Sequence, residues 1–437
     1  MQRSSILERL SAITPRQFSI ALALVIVVVS LQYTIKIVDV RNGRQDRSAI
    51  LRWREQLLQL DSGENIYQKF TYPNPPIMAL MLRPLADLPP IAGALTWYYL
   101  KVVLTVLAFA AIIRIVSSAS EPFPPWAIGL AVLLSLRPVI GDLTHGNVNL
   151  LIMFLVVVSV FAFRSGWDIS AGVVLALAIA CKVTPALFVA YYLWKRAWRT
   201  LIGCAVGLVL FFLVIPGLSL GWSENWEYLT SWGQNMVLPY VVGGVVTSDH
   251  PNQSLPGVIY RLFTESPAFS TYINDVYTPV EYLNWLSLSP RAASWLVKLC
   301  MAFFVGVVAL TCRTPLSARR DWRLAAEASI VIVGMLLFSE RTWKHHCVTL
   351  ALPFAVLSHR LAYAPEHRRR IMAVLAASLA LMTTTGSGLW SERWSDLALA
   401  YGAYVGAFLV LFAGLAAELR VGRTAPAIAP LAVAAAA

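Results

Sequence analysis

Charge is scarce in this chain. Only 13% of its 437 residues are Asp, Glu, Lys or Arg, about half the share usual in a soluble domain. By contrast 58% are hydrophobic and the mean hydropathy is +0.65. A soluble core has no use for that much apolar surface, whereas a bilayer is crossed by a helix of about 20 apolar residues. Acidic side chains are the rarer sign, 23 against 35 basic ones, for a net charge of +12. That excess is not a nucleic-acid footprint, because the basic residues stand in short groups between apolar runs, as cytoplasmic loops of membrane proteins do. No nucleic-acid partner is expected. The five cysteines, Cys181, Cys204, Cys300, Cys312 and Cys347, show no paired spacing, which excludes a disulfide framework and a zinc-ligand pattern. No internal repeat is present. The apolar run 18–37 follows Arg3, Arg9 and Arg16. It is longer than a signal-peptide core and has no small-residue cleavage site after it, so it reads as a retained first helix.

Apolar runs at about 17–36, 92–115, 124–142, 147–163, 168–181, 183–195, 199–216, 291–312, 323–339, 345–360, 370–386 and 394–417 predict an all-α polytopic membrane protein with about 12 transmembrane helices. With the N-terminus in the cytoplasm, every second connection falls inside. Those connections carry Arg114, Arg164, the cluster 195–199, Arg313 to Arg323 and His359 to Arg370, and the chain ends inside with Arg420 and Arg423. Residues 168–195 read as two short helices meeting at Lys182-Val183-Thr184-Pro185. One long helix would put Arg164 and the 195–199 cluster on opposite sides, and Pro185 supplies the break. Non-helical backbone at membrane depth needs protein or a water-filled cavity beside it, so a cavity is expected near Lys182. Two long extracytoplasmic loops, about 37–91 and 217–290, are rich in Trp, Tyr and Pro and hold helical segments at 48–60 and 225–236. Residues 1–422 read as a single transmembrane domain, and the Ala/Pro-rich 423–437 as a disordered tail.

A transporter would keep ionisable groups near mid-membrane in broken helices. Here the polar residues gather at the outer ends of the predicted spans, which points to chemistry at the outer leaflet. In the first loop Asp46 stands just before an amphipathic segment with Ile50, Trp53, Leu57 and Leu60 on one face. Asp46 has two readings, a helix N-cap and a general base near the membrane surface. Asp39 is a competing carboxylate by position. The run Arg341-Thr342-Trp343-Lys344-His345-His346 places four cation-capable side chains within six residues. No carboxylate pair or helical His-x-x-x-His accompanies the histidines, so no metal is expected.

Five motifs in order resemble those of glycosyltransferase family 87. They are Asp46 with Gly63, Ile66-Tyr67, Tyr72-Pro73, Pro75-Pro76 and Pro84-Leu85; His145-Gly146-Asn147-Val148-Asn149; Lys182-Val183-Thr184-Pro185 with the basic run 195–199; Asn252-Gln253-Ser254-Leu255; and Trp343-Lys344-His345-His346. They cover about residues 20–360. Asn74 departs from the family's unbroken Tyr-Pro-Pro. The resemblance implies the GT-C glycosyltransferase fold in the cell membrane, no cofactor, and an inverting single displacement. A hexose, mannose first, would pass from a polyprenyl-phosphate donor to a glycolipid or glycan hydroxyl, a β-linked donor giving an α-linked product. It implies Asp46 as the base that takes the acceptor's proton. Donor-phosphate partners would be His345, His346, Lys344, Arg341 and Lys182; sugar or acceptor contacts would come from Asn147, Asn149, His145, Asn252, Tyr67 and Tyr72. Other expectations are an arabinofuranosyltransferase with a decaprenyl-phosphate donor, a lipid or sugar transporter, and a non-catalytic scaffold.

Overall fold

The computed structural model describes residues 14–39, 48–70, 72–274 and 276–421. Asp46 and the tail 423–437 lie outside the described residues. Every apolar run of the sequence is helical. The main helices are α1 Pro15–Val38, α2 Ala49–Leu58, α3 Pro76–Asp87, α4 Pro90–Val116, α5 Pro125–His145, α6 Asn149–Ser165, α7 Asp168–Cys181 and α8 Leu187–Trp194. They continue with α9 Trp198–Leu220, which contains a π-helical turn at Val209–Val214, then α10 Trp222–Trp232, α11 Leu255–Phe263, α12 Pro290–Thr311 and α13 Trp322–Leu337. A 3-10 segment Lys344–Leu350 runs into α14 Ala351–Tyr363, followed by α15 Arg368–Thr383, α16 Glu392–Ala400 and α17 Ala403–Val421. Proline opens α1, α3, α4, α5 and α12, where its missing N–H costs nothing.

The protein is thus an all-α polytopic membrane protein, but its helices are less uniform than twelve full spans. Among the described residues six are long and apolar enough to cross a bilayer alone, or seven if the pair Lys344–Tyr363 and Pro365–Thr383, bent by 112°, counts as one. The expected span 394–417 is two pieces, α16 and α17, broken where Gly402 takes φ +75. One hairpin departs from helix. Strands β1 Pro267–Ile273 and β2 Val276–Tyr282 pair antiparallel, from Ile273 opposite Val276 to Pro267 opposite Tyr282.

Hydrogen bonds gather the connections onto two faces. On one, Arg164 donates to the carbonyls of Ser117 and Arg320, Arg319 to Phe163 O and Asp168, His359 contacts Glu121 O, and Lys195 reaches Thr314 O. This is the basic face. On the other, Asn65 bonds Glu227 and Ser231, Trp232 bonds Pro73 O, and the backbone of Gln253 bonds Thr342 O. This is the loop face. The interior between them is α6, α13 and α14; apart from Trp322 and Arg323, every residue of α13 is buried.

The expected break at Lys182 is present. Helix α7 stops at Cys181, Lys182 is extended (φ −160, ψ 126), and a 3-10 turn Thr184–Ala186 follows. The reversal is fixed by packing. A Cβ on Gly172 would stand 2.0 Å from Thr200 O, one on Gly203 2.2 Å from Ile169 O, and one on Gly207 2.6 Å from the Ala176 methyl. Contacts that rise together along both helices make α7 and α9 a parallel pair at backbone distance, as small residues four apart permit in membranes. The chain between them must turn back, and α8 is that return limb. Arg164 and the 195–199 cluster therefore share the basic face. The first-loop helix is also as expected: α2 with the turn Gln59–Ser62 buries Ile50, Leu57 and Leu60.

Candidate active site

Helix α5 ends at the loop face in a left-handed Gly146 cap (φ +70), where a Cβ would meet the Ser48 hydroxyl at 2.6 Å. Only glycine suits both the angle and the space. This cap holds His145-Gly146-Asn147-Val148-Asn149 against the start of α2, and Trp97 donates to Gly146 O at 2.8 Å. Ser48 is 2% exposed.

Asn147 and Asn149 leave the turn in different directions. Asn147 Nδ2 lies 3.3 Å from His345 Nε2, and its Oδ1 accepts from Val148 N. The His145 and His345 rings are 4.5 Å apart, and the His345 and His346 rings 4.7 Å. Buried His145 Nδ1 has no hydrogen-bond partner among the described residues. Asn149 points into the bundle. Its Nδ2 donates to Asp142 Oδ1 at 2.9 Å, and its Oδ1 accepts from Lys182 Nζ at 2.6 Å.

The cavity expected near Lys182 is there. It is lined by Asn149, Lys182, Thr184, Ser339, Thr342 and His346, among others, and its ≈ 20 Å³ holds about one water. His346 Nδ1 lies 3.2 Å from Arg341 O. If Nδ1–H donates there, neutral His346 keeps Nε2 as an acceptor. The site thus has two adjoining halves, His145, Asn147 and His345 beneath Ser48, and Lys182 and His346 around the cavity.

The remaining candidates of the 341–346 run turn elsewhere. Arg341 pairs with Glu340 at 3.1 Å and donates to the Thr247 hydroxyl at 2.9 Å. Lys344 donates to Thr385 O at 2.9 Å. Three expected sugar contacts do not face the site. Asn252 is 1% exposed and saturated, donating to Thr247 O and Glu340 O and accepting from Ser254 N and Thr342 N. It ties the second loop to residues 340–342. Tyr67 and Tyr72 are each fully buried in the first loop, with Tyr67 bonded to Asn74 O at 2.9 Å. Burial holds both phenols above the usual tyrosine range.

Two residues of this region escape sequence reasoning, Lys101 and Asp142. Lys101 lies within α4 and Asp142 near the end of α5, and both are 0% exposed. Lys101 Nζ donates to Asp142 O at 2.6 Å and stands 3.4 Å from Asp142 Oδ2. The signal was available, since an ionisable residue inside an apolar run marks a functional site by default.

Comparison with known proteins identifies the family. The chain is 28% identical over 357 residues to a polyprenol-phosphate-mannose-dependent alpha-(1-2)-phosphatidylinositol mannoside mannosyltransferase of Mycolicibacterium smegmatis, covering 77% of this chain and 73% of that one. It is 26% identical over 298 residues to the protein of the same name from Mycobacterium tuberculosis, covering 65% of each. No solved structure matches. The model of glycosyltransferase family 87 matches residues 70–339, well over half of the sequence and spanning four of the helices that build the site, and the chain belongs to that family of glycosyltransferases.

Proposed function

We propose that this enzyme transfers mannose from a polyprenyl-phosphate donor to a hydroxyl of a phosphatidylinositol mannoside or a related glycolipid, with inversion, at the loop face turned to the cell exterior. The observation that carries the reading is the similarity over three quarters of the chain to the mannosyltransferase from M. smegmatis. The residues of the site suit the chemistry. A lipid phosphate is a good leaving group and needs donors and positive charge more than an acid. Lys182 lines a small cavity and makes no ion pair among the described residues, so its charge is open to an anion, whereas His346 with its proton on Nδ1 offers only an acceptor there.

The acceptor hydroxyl needs a base. Asp46 is the candidate, taking the proton as the hydroxyl oxygen attacks the anomeric carbon and the C–O bond to phosphate breaks. The role rests on the motif it shares with the family, Asp46 ahead of Gly63, Ile66-Tyr67 and Tyr72-Pro73. His145 and Asn147 would contact sugar hydroxyls, and His345, expected at the donor phosphate, shares their half of the site and would do the same. Lys344 and Arg341, engaged with Thr385 O and Glu340, would act through the surrounding charge.

Purified protein in nanodiscs, given labelled polyprenyl-phosphate mannose or decaprenyl-phosphate arabinose with a phosphatidylinositol mannoside acceptor, tests the reading. Mannose is expected in α-linkage on the acceptor. Transfer of arabinose in preference, or of neither sugar, would overturn it.

A further inference from the structure

Behind Lys182 stands a chain of three buried side chains from three helices: Lys101 of α4, Asp142 of α5 and Asn149 of α6. Exposures are 0%, 0% and 3%. We propose that Asp142 is a positioning residue for donor binding. Acting through the Asn149 amide, it aims the Lys182 ammonium at the donor phosphate. This rests on the reading that Lys182 takes that phosphate.

The direction of every bond supports the assignment. Asp142 Oδ1 accepts from Asn149 Nδ2 at 2.9 Å, while Oδ2 accepts from Leu150 N at 3.2 Å and faces Lys101 Nζ at 3.4 Å. Both carboxylate oxygens of Asp142 accept, from Asn149 Nδ2 and Leu150 N, so the NH₂ end of Asn149 faces Asp142. The carbonyl end is then turned to Lys182, 2.6 Å away. A flipped amide would set oxygen against carboxylate and NH₂ against ammonium. The carboxylate therefore fixes the amide, and the amide fixes the lysine. Asp142 is itself held by Lys101, by the Leu150 N–H in the first turn of α6, and by the favourable field of that helix end.

The interposed amide also explains why the carboxylate does not meet Lys182 directly. A direct ion pair would neutralise the ammonium and compete with a phosphate. Through Asn149 the lysine is oriented but keeps its charge. A buried cation is costly unless an anion joins it, and the cavity opens beside Lys182.

The test uses full-chain protein in nanodiscs, with Asp142→Asn, Asn149→Ala and the double variant. Two readouts are taken: KM for polyprenyl-phosphate mannose at saturating acceptor, and the Kd for unglycosylated polyprenyl phosphate. Each single variant is expected to raise the donor KM and the polyprenyl-phosphate Kd at least tenfold, with the acceptor KM within twofold of wild type. The double variant should be no worse than the poorer single one, because both break the same chain. Folded variants with donor KM and Kd within twofold of wild type, or an acceptor KM that rises in step, would overturn the inference. Asn149→Ala leaves the Lys101–Asp142 pair in place and decides alone if Asp142→Asn does not fold. Wild-type protein that transfers no mannose would sink the proposed function as well; active wild type with unmoved variants sinks only the positioning role.

Discussion

Gly146 shows how much of the site depends on single side chains. It caps α5 at φ +70 and has no room for a Cβ against Ser48. Gly146→Ala is therefore expected to cost about 1–3 kcal/mol in backbone strain, read as a lower unfolding temperature, and to slow transfer at least tenfold by pushing the start of α2 away. An unchanged rate would mean that Ser48 and its chain neighbours do not belong to the site. The motif around Gly146 was legible in the sequence, but the opposite headings of Asn147 and Asn149 were not, because the left-handed cap sets them. Asn252, Tyr67 and Tyr72 drew attention as polar groups in outer loops. Asn252 is satisfied by a distant segment, with Thr342 N on its Oδ1, while the phenols of Tyr67 and Tyr72 are buried in the first loop, and one chain read in order shows neither fact. Lys101 and Asp142 were passed over for the converse reason. They are charges inside apolar helices, whereas the sequence motifs lie at helix ends and in loops.

Between helices, the parallel α7–α9 pair places Lys182. Gly172 and Gly203 bring the two backbones together, and the short return limb α8 leaves Lys182 at the apex, beside the cavity. Gly203→Val should force the pair apart, at about 1–3 kcal/mol or more for overpacking, and lower both the unfolding temperature in detergent and the affinity for donor. Gly306→Ala on α12, where a Cβ meets nothing within 4 Å, should leave both unchanged. A tolerated Gly203→Val would argue against the close pair. Element positions were the most legible part of the sequence, since apolar length, flanking charge and Pro185 each carry a local signal. The break at Gly402 was missed because residues on both sides stay apolar. The β1–β2 hairpin was missed because its strands are seven residues each and lie in an aromatic-rich loop.

Taken together, the helices separate two functions in space. The basic face is knitted by Arg164, Arg319, Lys195 and a carboxylate network in which Glu418 is approached by Arg360, Arg370 and His367. The loop face carries the polar halves of the site. Ionisable groups do lie within the bundle, where Lys101 is hydrogen-bonded to Asp142 and Asp142 to Asn149. The proposed orientation and the proposed base meet in one measurement. Right-side-out vesicles loaded with polyprenyl-phosphate mannose receive a short-chain acceptor from outside, and wild-type protein is compared with Asp46→Asn. The account predicts mannosylation of the external acceptor by wild type, and a rate lower by about 10²–10⁴ for the variant with polyprenyl-phosphate binding retained. Equal rates for the two folded proteins, or transfer only to acceptor on the inner side, would contradict it.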